Sequence, residues 1–487
     1  MKYSSTRGLQ KNLSYNDVLL QGLARDGGLF VPNELPVFTN DELKKMSNLE
    51  YTELAAFIIN QFSSKCINYN DLLEICKKTY KNFNGKDIAP LKDIGSNNYI
   101  LELFHGPTWA FKDYAMQFLA NDFERILSNN KQNSLILGAT SGDTGSAALE
   151  AFAGKDNLDI FILFPKSRVS PIQEAQMTSI INEGAYAIQV DGDFDDCQQI
   201  VKDLFEDRLF KERVNLSAVN SINWVRVVPQ IVYYFYSAFK LGSPQRPVSF
   251  SVPTGNFGNI YAAWCALKMG LPIHKLICAS NKNNILTRFF DSGIMERKKV
   301  LPSLSPSMDI EVSSNFERLL FELLDRNVLE VKNNLELFKS KGKYDVPLQK
   351  LEKLKETFLA YFVDDNQILN EIDKVYKMKE LIIDPHTACG TFAANTVREK
   401  NQIEKDIPII SLACAHPCKF PEAVFKAINI KPMLPEGSQD LLEKDKRSLH
   451  SVARIESIKN LILSNSCLLY TSPSPRDLST SRMPSSA

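Results

Sequence analysis

Beyond about residue 90, short apolar runs alternate with stretches whose apolar residues recur at helical spacing. Several of these runs are typical of buried strands: 134–137, 159–164, 185–190, 247–252, 275–279 and 407–413. Because strands that are separated by helices usually pair in parallel, the pattern predicts parallel sheet flanked by helices. We therefore expect residues 91–463 to form an α/β domain.

Three stretches depart from this alternation. Residues 1–90 mix polar and apolar positions in a way that predicts a mostly helical N-terminal domain, and residues 314–380 are charged and helix-rich, which predicts a helical insertion. The stretch 464–487 is rich in serine and proline from Ser466 onward and cannot readily bury a core. We expect it to be disordered and, because the composition changes so abruptly, to be a tail foreign to the natural protein.

Composition narrows the class of function. The chain has 487 residues, and its 57 lysines and arginines balance 57 aspartates and glutamates. This balance argues against nucleic acid and membrane surfaces as partners and favours work on a small molecule. No apolar run reaches the ~18 residues of a membrane helix, the N-terminus has no leader-like segment, and nine scattered cysteines are typical of reduced thiols. We expect a cytoplasmic protein.

Lys112 is the first candidate for chemistry. It lies near the end of an aromatic, turn-rich segment, 104–113, and precedes an apolar periodicity that predicts a helix: Met116, Leu119, Ala120, Phe123 and Leu127. The helix macrodipole opposes a cation at this end, so this amine should lose its proton more easily than an exposed one. A neutral amine is the nucleophile that forms a Schiff base with a carbonyl cofactor, although most lysines near helix starts are simply solvated.

Two glycine-rich turns each connect a predicted strand to a predicted helix. The first lies at 134–145, and the second lies at 249–259, before a helix predicted to run through Met269. Glycines let the backbone approach a ligand, and free amides at a helix start attract a carboxylate or a phosphate. The chain therefore carries two candidate anion sites as well as one candidate Schiff-base lysine.

Other interpretations of these motifs fit less well. The first turn does not match a dinucleotide fingerprint, because its glycines are spaced Gly-x-x-x-Gly-x-x-Gly, and no P-loop motif occurs. The run Cys414 to Cys418, with Cys389 and His386 upstream, suggests a metal site, but its Cys-x-His-x-Cys spacing does not close a tetrahedron. We therefore predict no metal, and we assign no acid–base role to the histidines at 105, 386 and 416.

Eight segments, in chain order, resemble the threonine synthase family in its bacterial and fungal branch, within the fold-type-II pyridoxal-phosphate enzymes. They cover about residues 3–425. The segments are 5–8, 26–32, 104–113, 139–145, 220–224, 253–259, 384–388 and 415–422. No single segment would be decisive, but eight matching segments in the same order along the chain argue against a chance resemblance. The resemblance implies an α/β, fold-type-II architecture in which parallel-sheet subdomains are flanked by helices.

The resemblance also implies an activity: conversion of O-phospho-L-homoserine and water into L-threonine and phosphate, by β,γ-elimination and water addition at Cβ, in a monomer or homodimer. Lys112 would hold pyridoxal 5'-phosphate as a Schiff base and carry protons. The cofactor phosphate would lie on Gly255, Asn256, Phe257, Gly258 and Asn259. The first turn would contact the cofactor through Ser141, Gly142 and Asp143, and the substrate through Thr140, Ser141 and Thr144.

Two further assignments follow from the resemblance. The substrate phosphate needs cationic or polar partners, and the candidates are Lys166, Arg168, Ser221, Asn223 and Arg226, with Arg7 as another. The cofactor ring nitrogen would face Cys414, where the family commonly has threonine in Ser-Thr-Ala-His-Pro. A thiol is a weaker hydrogen-bonding group but is still neutral, so the ring nitrogen should stay largely unprotonated. Alternatively, Cys414 simply packs behind the ring.

Rival functions on the same fold stay open at this point. One is a phospholyase that releases a keto acid, or a deaminase that acts on threonine or serine. Another is a non-catalytic binding module, against which the intact Lys112 argues.

Overall fold

The computed structural model describes residues 1–85 and 87–468. The strands are β1 (Tyr3–Ser5), β2 (Phe30–Pro32), β3 (Leu91–Gly95), β4 (Asn98–Glu102), β5 (Ser134–Ala139), β6 (Leu158–Pro165), β7 (Ala185–Asp191), β8 (Leu216–Ser217), β9 (Val248–Pro253), β10 (Ile273–Ser280), β11 (Ile294–Glu296), β12 (Lys343–Asp345), β13 (Phe358–Phe362), β14 (Ile409–Ala413) and β15 (Leu449–Val452).

The helices are α1 (Tyr15–Gln21), α2 (Asn40–Met46), α3 (Tyr51–Ser63), α4 (Tyr69–Tyr80), α5 (Lys112–Asn130), α6 (Asp143–Phe152), α7 (Pro171–Thr178), α8 (Phe194–Glu206), α9 (Arg208–Val214), α10 (Trp224–Lys240), α11 (Gly258–Lys268), α12 (Ile285–Ser292), α13 (Phe316–Leu323), α14 (Val328–Lys341), α15 (Leu348–Lys355), α16 (Asp365–Lys379), α17 (Pro385–Glu399), α18 (Pro421–Ile428) and α19 (Ile455–Asn465). No helix within the described ranges is long and apolar enough to cross a membrane.

The chain forms two compact units, and the first consists of residues 1–121 and 220–439. Its centre is a six-stranded sheet in the order β13–β10–β9–β14–β4–β3, parallel except for the edge pair β3–β4. Strands β9 and β14 are buried at every residue, as expected for central strands covered on both faces. Because β9 and β14 are parallel neighbours, their carboxyl ends meet at one edge of the sheet.

The N-terminal part of this unit carries α1 to α4 and an antiparallel pair of strands, β1 and β2. The starts of α1, α2 and α4 are set by Ser14, Thr39 and Asn68, whose side chains each accept a backbone N–H from the first helical turn. Local capping therefore fixes these helix boundaries. The domain limit at residue 90 stays a prediction.

The second unit consists of residues 122–219 and the described chain from Asp440 onward. Its sheet has the order β15–β7–β6–β5–β8, and all neighbours are parallel. The central strand β6 is buried at all eight residues. Ile458 and Ile462 of α19 belong to the same apolar cluster as Leu135, Phe161 and other side chains of this sheet. A helix close to the end of the described chain thus completes the core of this unit.

All the strands predicted from apolar runs are present, as β5, β6, β7, β9, β10 and β14. The pattern missed strands that are short or polar, such as β3, which carries exposed Lys92 and Asp93. Within 314–380 the structure has four helices but also β13, the edge strand of the six-stranded sheet. The limit at 463 stays a prediction, and the disorder expected of 464–487 falls mainly on 469–487, outside the described residues.

We expect Ile458→Ala to destabilise the second unit. The side chain is fully buried in the sheet core, and truncating a buried isoleucine to alanine costs about 2–5 kcal/mol. Thermal unfolding followed by circular dichroism measures the loss. Leu209→Ala, on α9 of the same unit and 81% exposed, is the matched control and should leave the unfolding midpoint nearly unchanged. Equal midpoints for the two variants would contradict a core role for α19.

Candidate active site

A short antiparallel pairing places Lys112 beside the end of β14. Phe111 N–H donates to the Cys414 carbonyl at 2.9 Å, Ala110 and Ala415 form a β-bridge, and His416 N–H donates to the Trp109 carbonyl at 2.9 Å. The residue that follows this pairing is the first of α5. The sequence prediction that a helix begins at Lys112 is therefore confirmed, and the lysine lies at the carboxyl edge of the sheet.

Hydrogen bonds to two buried charged side chains hold the loop that leads to Lys112 in place. The Asp113 carboxylate accepts from Thr108 N–H at 2.8 Å and from Thr108 Oγ1 at 2.6 Å. Lys419 Nζ donates to the carbonyl of the same threonine at 2.8 Å. Asp113 and Lys419 are fully buried, and a Cβ on Gly106 would lie 2.5 Å from the Cβ of Asp113. This close approach accounts for the glycine and fixes the path of the loop.

The Lys112 side chain itself is half-buried and lies against an aromatic ring. Its Nζ is 4.9 Å from the centre of the Phe111 ring, and the amide dipoles of α5 oppose a positive charge at this position. The surroundings therefore match the aromatic helix start that the sequence predicted.

The second glycine-rich turn follows β9 and ends in α11. A Cβ on Gly255 would lie 3.1 Å from the Ser307 carbonyl, and one on Gly258 would lie 3.3 Å from Asn315 Nδ2. Phe257, at the N-cap, has a φ of 62° and its side chain makes no capping bond to α11. The turn is thus tightly packed on one side, and the start of the helix lacks a side-chain cap.

The carbonyl groups of this turn accept hydrogen bonds from Ser313 and Asn315. Ser313 Oγ donates to the Gly255 carbonyl at 2.7 Å, and both the backbone N–H and Nδ2 of Asn315 donate to the Asn256 carbonyl at 3.0 Å. Because the carbonyl and N–H of a peptide point in opposite directions, this arrangement turns backbone N–H groups away from 313–315. These N–H groups of the turn and the first amides of α11 are suited to bind an anion, and together we call them the anion cradle.

The side chain of Asn259, in the first turn of α11, is oriented by two tyrosines of α10. Tyr233 Oη and Tyr234 Oη donate to Asn259 Oδ1 at 2.5 and 2.7 Å. Asn259 Nδ2 is buried and has no hydrogen-bond partner among the residues that the structure describes. The Tyr233 ring also packs edge-on against Tyr114 of α5, with 5.7 Å between ring centres. Helix α10 thus contacts both the lysine-bearing helix and the anion cradle.

Cys414, the residue directly after β14, is 7% exposed. Its Sγ lies 3.8 Å from the Leu412 carbonyl. Burial raises the pKa of the Tyr233 and Tyr234 hydroxyls well above its usual value, and the neighbouring Cys414 adds to the effect. The thiol therefore belongs to the same buried cluster as the tyrosines that hold Asn259.

The first glycine-rich turn, in the second unit, is held by its own threonine. Thr140 Oγ1 accepts from Gly142 N–H at 3.0 Å and from Gly145 N–H at 2.9 Å. Asp143 Oδ1 accepts from Gln173 Nε2 at 2.8 Å. Ser141 is exposed and Thr144 is half-buried. The Thr140 hydroxyl therefore fixes the conformation of the turn that contains Ser141 and Thr144.

The candidates for the substrate phosphate differ in their surroundings. In the second unit Lys166 and Arg168 are exposed, and Lys166 Nζ lies 3.5 Å from Asp191. In the first unit Arg7 is already paired, with its Nη2 at 2.8 Å from Glu317.

Three other candidates lie at the start of α10. Asn315 Nδ2 donates to the Ser221 carbonyl at 3.2 Å as well as to Asn256, so this start adjoins the anion cradle. The Asn223 side chain caps the helix and donates to the Leu19 carbonyl at 3.0 Å. Arg226 is buried, and two of its guanidinium nitrogens have no hydrogen-bond partner in the described chain.

Several residues that shape the site were missed from sequence. Asp113 and Lys419 stand in the family-like segments, but only their contacts with Thr108 reveal that they hold the loop. Asn315 lies outside every motif, and the tyrosines at 233 and 234 are not among the candidate residues of the sequence analysis. These roles depend on hydrogen bonds between residues far apart in the chain, so no local sequence pattern indicates them.

The histidines make structural contacts. His386 Nδ1 bonds to Asp384 Oδ2 at 2.7 Å, while its Nε2 accepts from Ser307 N–H at 3.3 Å. His416 Nδ1 accepts from Cys418 N–H at 3.2 Å. Within residues 1–85 and 87–468, no group of three or more histidine, cysteine or acidic side chains could hold a metal ion.

Comparisons with known proteins agree along most of the chain. Family models match at residues 2–80 (threonine synthase N terminus), 88–333 (pyridoxal-phosphate dependent enzyme) and 387–462 (threonine synthase, C-terminal). The threonine synthase of Pseudomonas aeruginosa is 47% identical over 92% of this chain and 95% of its own length. That of Saccharomyces cerevisiae is 41% identical over 94% and 97%.

Solved structures give the same result for the fold. The structure of pyridoxal-phosphate-bound threonine synthase from Brucella melitensis matches with a TM-score of 0.93 at 43% identity, covering 96% of this chain and all of that one. The yeast threonine synthase structure matches with a TM-score of 0.91 at 40% identity, covering 95% and 98%. The predicted fold-type-II α/β architecture is therefore confirmed, and the chain belongs to the threonine synthase family of pyridoxal-phosphate-dependent enzymes.

Proposed function

We propose that this chain is a threonine synthase that converts O-phospho-L-homoserine and water into L-threonine and phosphate, with its cofactor attached to Lys112. The observation that carries the proposal is the convergence of three features at one sheet edge. Lys112 is fixed beside Cys414 after β14, and the anion cradle follows the neighbouring strand β9. Ligands of parallel α/β sheets bind at this edge, beyond the carboxyl ends of the strands.

The residues present fit pyridoxal phosphate. Gly255 and Gly258 let the turn pack closely against Ser307 and Asn315, and the uncapped start of α11 suits a phosphate. Asn259 offers a buried Nδ2 without a partner in the described structure. When bound, the cofactor supplies an aldehyde that an amine can attack and a ring that delocalises negative charge from the substrate Cα.

In this scheme Lys112 holds the cofactor and then carries protons. Its free amine would be the base that takes the proton from Cα and, only after giving that proton up again, the proton from Cβ, whose loss would accompany departure of phosphate from Cγ. With water added at Cβ, Lys112 would return a proton to carbon, and it would again be the residue that holds the cofactor when threonine departs. The fastened loop around Thr108 keeps the amine within reach during these steps.

Two other groups of residues complete the proposal. Cys414 would offer the ring nitrogen a neutral thiol, which would leave that nitrogen largely unprotonated. In the second unit, Ser141, Gly142 and Asp143 contact the cofactor, and Thr140, Ser141 and Thr144 contact the substrate. Support for this second group is the resemblance of the turn to the family.

His416 is neutral at neutral pH, and the proposal gives it no part in proton transfer. Burial lowers its pKa to about 4, with nearby His105 adding to the effect. Its neutral ring instead accepts the Cys418 N–H.

Replacing Lys112 with alanine should abolish threonine formation. Without the attacking and proton-carrying amine, we expect turnover of O-phospho-L-homoserine to fall by at least roughly 10²–10⁴, measured by chromatography that resolves threonine from 2-oxobutanoate. Lys92→Ala, an exposed lysine on the edge strand β3, is the control and should keep full activity. Turnover that survives in Lys112→Ala would refute the assignment, and keto acid as the main wild-type product would favour a phospholyase or deaminase.

Cys414→Ser should keep activity within a few-fold, because a hydroxyl is also a neutral hydrogen-bonding group. Cys414→Asp should lower activity and shift the visible absorption of the bound cofactor, because a carboxylate favours a proton on the ring nitrogen. Absorbance spectra and initial rates of the two variants measure these effects. Identical spectra and rates for both would mean that Cys414 only packs behind the ring.

The neutral His416 should make stability depend on pH. Its folded pKa, about 4, lies below the unfolded value of about 6.5, so the unfolded chain binds more protons between these values. Stability is then full above about pH 6.5 and is lost as pH falls towards 4, by at most about 3 kcal/mol. His416→Asn, which keeps an acceptor for Cys418, should flatten this slope in thermal unfolding. Exposed His450→Asn should not, and a slope unchanged in His416→Asn would contradict the assignment.

A further inference from the structure

His386 is a buried histidine whose two ring nitrogens have different partners. It is 3% exposed. Its Nδ1 lies 2.7 Å from Asp384 Oδ2, and its Nε2 accepts from the Ser307 N–H at 3.3 Å. Because an ionised carboxylate only accepts and a backbone N–H only donates, the ring carries a proton on Nδ1 and presents a lone pair at Nε2. Asp384 therefore keeps the ring as an acceptor for Ser307.

Asp384 is itself held at the start of α17. Its carboxylate accepts the backbone N–H groups of His386 at 2.9 Å and Thr387 at 3.0 Å, and the Thr387 hydroxyl also donates to it. Further along, α17 lies against β9, where Ser251 Oγ donates to the Gly390 carbonyl at 2.7 Å. Asp384 and His386 thus stand on a helix that is attached to the strand carrying the second glycine-rich turn.

The partner of His386 belongs to the loop 303–309, which covers one side of this turn. A Cβ on Gly255 would lie 3.1 Å from the Ser307 carbonyl and 3.2 Å from Met308 Cα, so the loop backbone and the turn are in close contact. Pro306–Met308 form a short 3₁₀ helix, and the first N–H groups of a helix have no acceptor within it. His386 Nε2 supplies the acceptor for Ser307.

A second set of hydrogen bonds holds the end of the same loop. Asn281 and Asn283, which follow β10, each donate through Nδ2 to Asp309 Oδ1 at 2.8 Å. The Ser303 N–H donates to Asp309 Oδ2 at 2.9 Å. Asp309 therefore fixes where the loop ends, whereas His386, 79 residues away in the chain, binds the part of the loop that contacts Gly255.

The His386 ring also connects the loop to the support of Lys112. It packs against Phe420, with 4.8 Å between ring centres, and Phe420 follows Lys419, which holds the loop before Lys112 through Thr108. One buried ring therefore contacts both the segment that supports the candidate lysine and the loop that supports the turn after β9.

A second histidine shows the local alternative. His416 Nδ1 accepts from the N–H of Cys418, only two residues further along the chain. It therefore stabilises its own turn, whereas the bond from His386 fixes a loop from a distant part of the sequence.

We infer that His386 is a positioning residue for the turn after β9. Kept as an acceptor by Asp384, it holds the loop 303–309 against Gly255 and so sets the position of the turn 255–259 relative to Lys112. This role rests on the proposed function only in that the turn is taken to bind the cofactor phosphate.

Two substitutions separate the two bonds of His386. Asparagine has the length to replace Nδ1, so His386→Asn can still donate to Asp384 but offers no acceptor to Ser307. Glutamine has the length to replace Nε2, so His386→Gln can still accept from Ser307 but loses its bond to Asp384. Titration of each full-length variant with pyridoxal phosphate, and with pyridoxal, which lacks the phosphate, gives the dissociation constants from visible absorbance.

His386→Asn should raise the dissociation constant of pyridoxal phosphate roughly 5- to 30-fold, the effect of one lost hydrogen bond, and leave that of pyridoxal nearly unchanged. His386→Gln should bind pyridoxal phosphate nearly as the wild type does. Both variants lose one bond and should unfold at a lower temperature than the wild type, so a merely structural histidine would affect cofactor binding equally in the two. Exposed His450→Asn is the control and should match the wild type.

Equal constants for pyridoxal phosphate in His386→Asn and His386→Gln overturn this role, and so does a rise for pyridoxal as large as that for pyridoxal phosphate. If His386→Asn cannot be obtained folded, His386→Met replaces it in the same comparison, because methionine has the length of glutamine without a strong acceptor.

Failure of the proposed function is seen separately, as wild-type holoenzyme that makes no threonine from O-phospho-L-homoserine. The cofactor titrations need no turnover, so they still decide the role of His386 in that case.

Discussion

The pairing of residues 109–111 with 414–416 is the constraint on which the site depends. It joins the start of α5 to the end of β14, so Lys112 has a fixed position at the carboxyl edge of the six-stranded sheet. Asp113 and Lys419 reinforce it through Thr108, and both charges are fully buried. Their desolvation is offset by charge-assisted hydrogen bonds to the loop backbone, which are stronger than neutral ones.

The anion cradle depends on a comparable arrangement of backbone groups. Ser313 and Asn315 bind the carbonyls of Gly255 and Asn256 and thereby orient the N–H groups of the turn. Helix α10 links this cradle to the lysine-bearing helix, because Tyr233 contacts both Asn259 and Tyr114. Tyr233 on α10 therefore contacts the residues around the proposed cofactor site without belonging to either glycine-rich turn.

Much of the fold was predictable from the chain, because its signals are local. Buried parallel strands leave continuous apolar runs, and the predicted strands correspond to β5, β6, β7, β9, β10 and β14. Strand β13 escaped detection because it lies among charged helices and is recognisable only by its pairing with β10. Strand β3 escaped because its exposed edge carries Lys92 and Asp93.

For the candidate site, the sequence predicted the local features and left their surroundings open. Lys112 and the turn at 255–259 are local motifs, and the structure places both at one sheet edge. The roles of Asp113, Lys419 and Asn315 arise from contacts between segments distant in the chain, which spacing alone does not encode. Arg226 was one of several cations that could bind phosphate. Only its burial without an acceptor separates it from exposed Lys166 and from Arg7, which is paired with Glu317.

The central claim is that Lys112 is the point of covalent attachment. Borohydride reduction of the purified holoenzyme followed by peptide mapping tests it most directly, because reduction makes the link between lysine and cofactor permanent. The account predicts that the mass of the reduced cofactor is found on the peptide that contains Lys112. Attachment at another lysine, or no modified peptide from an enzyme that makes threonine, would contradict it.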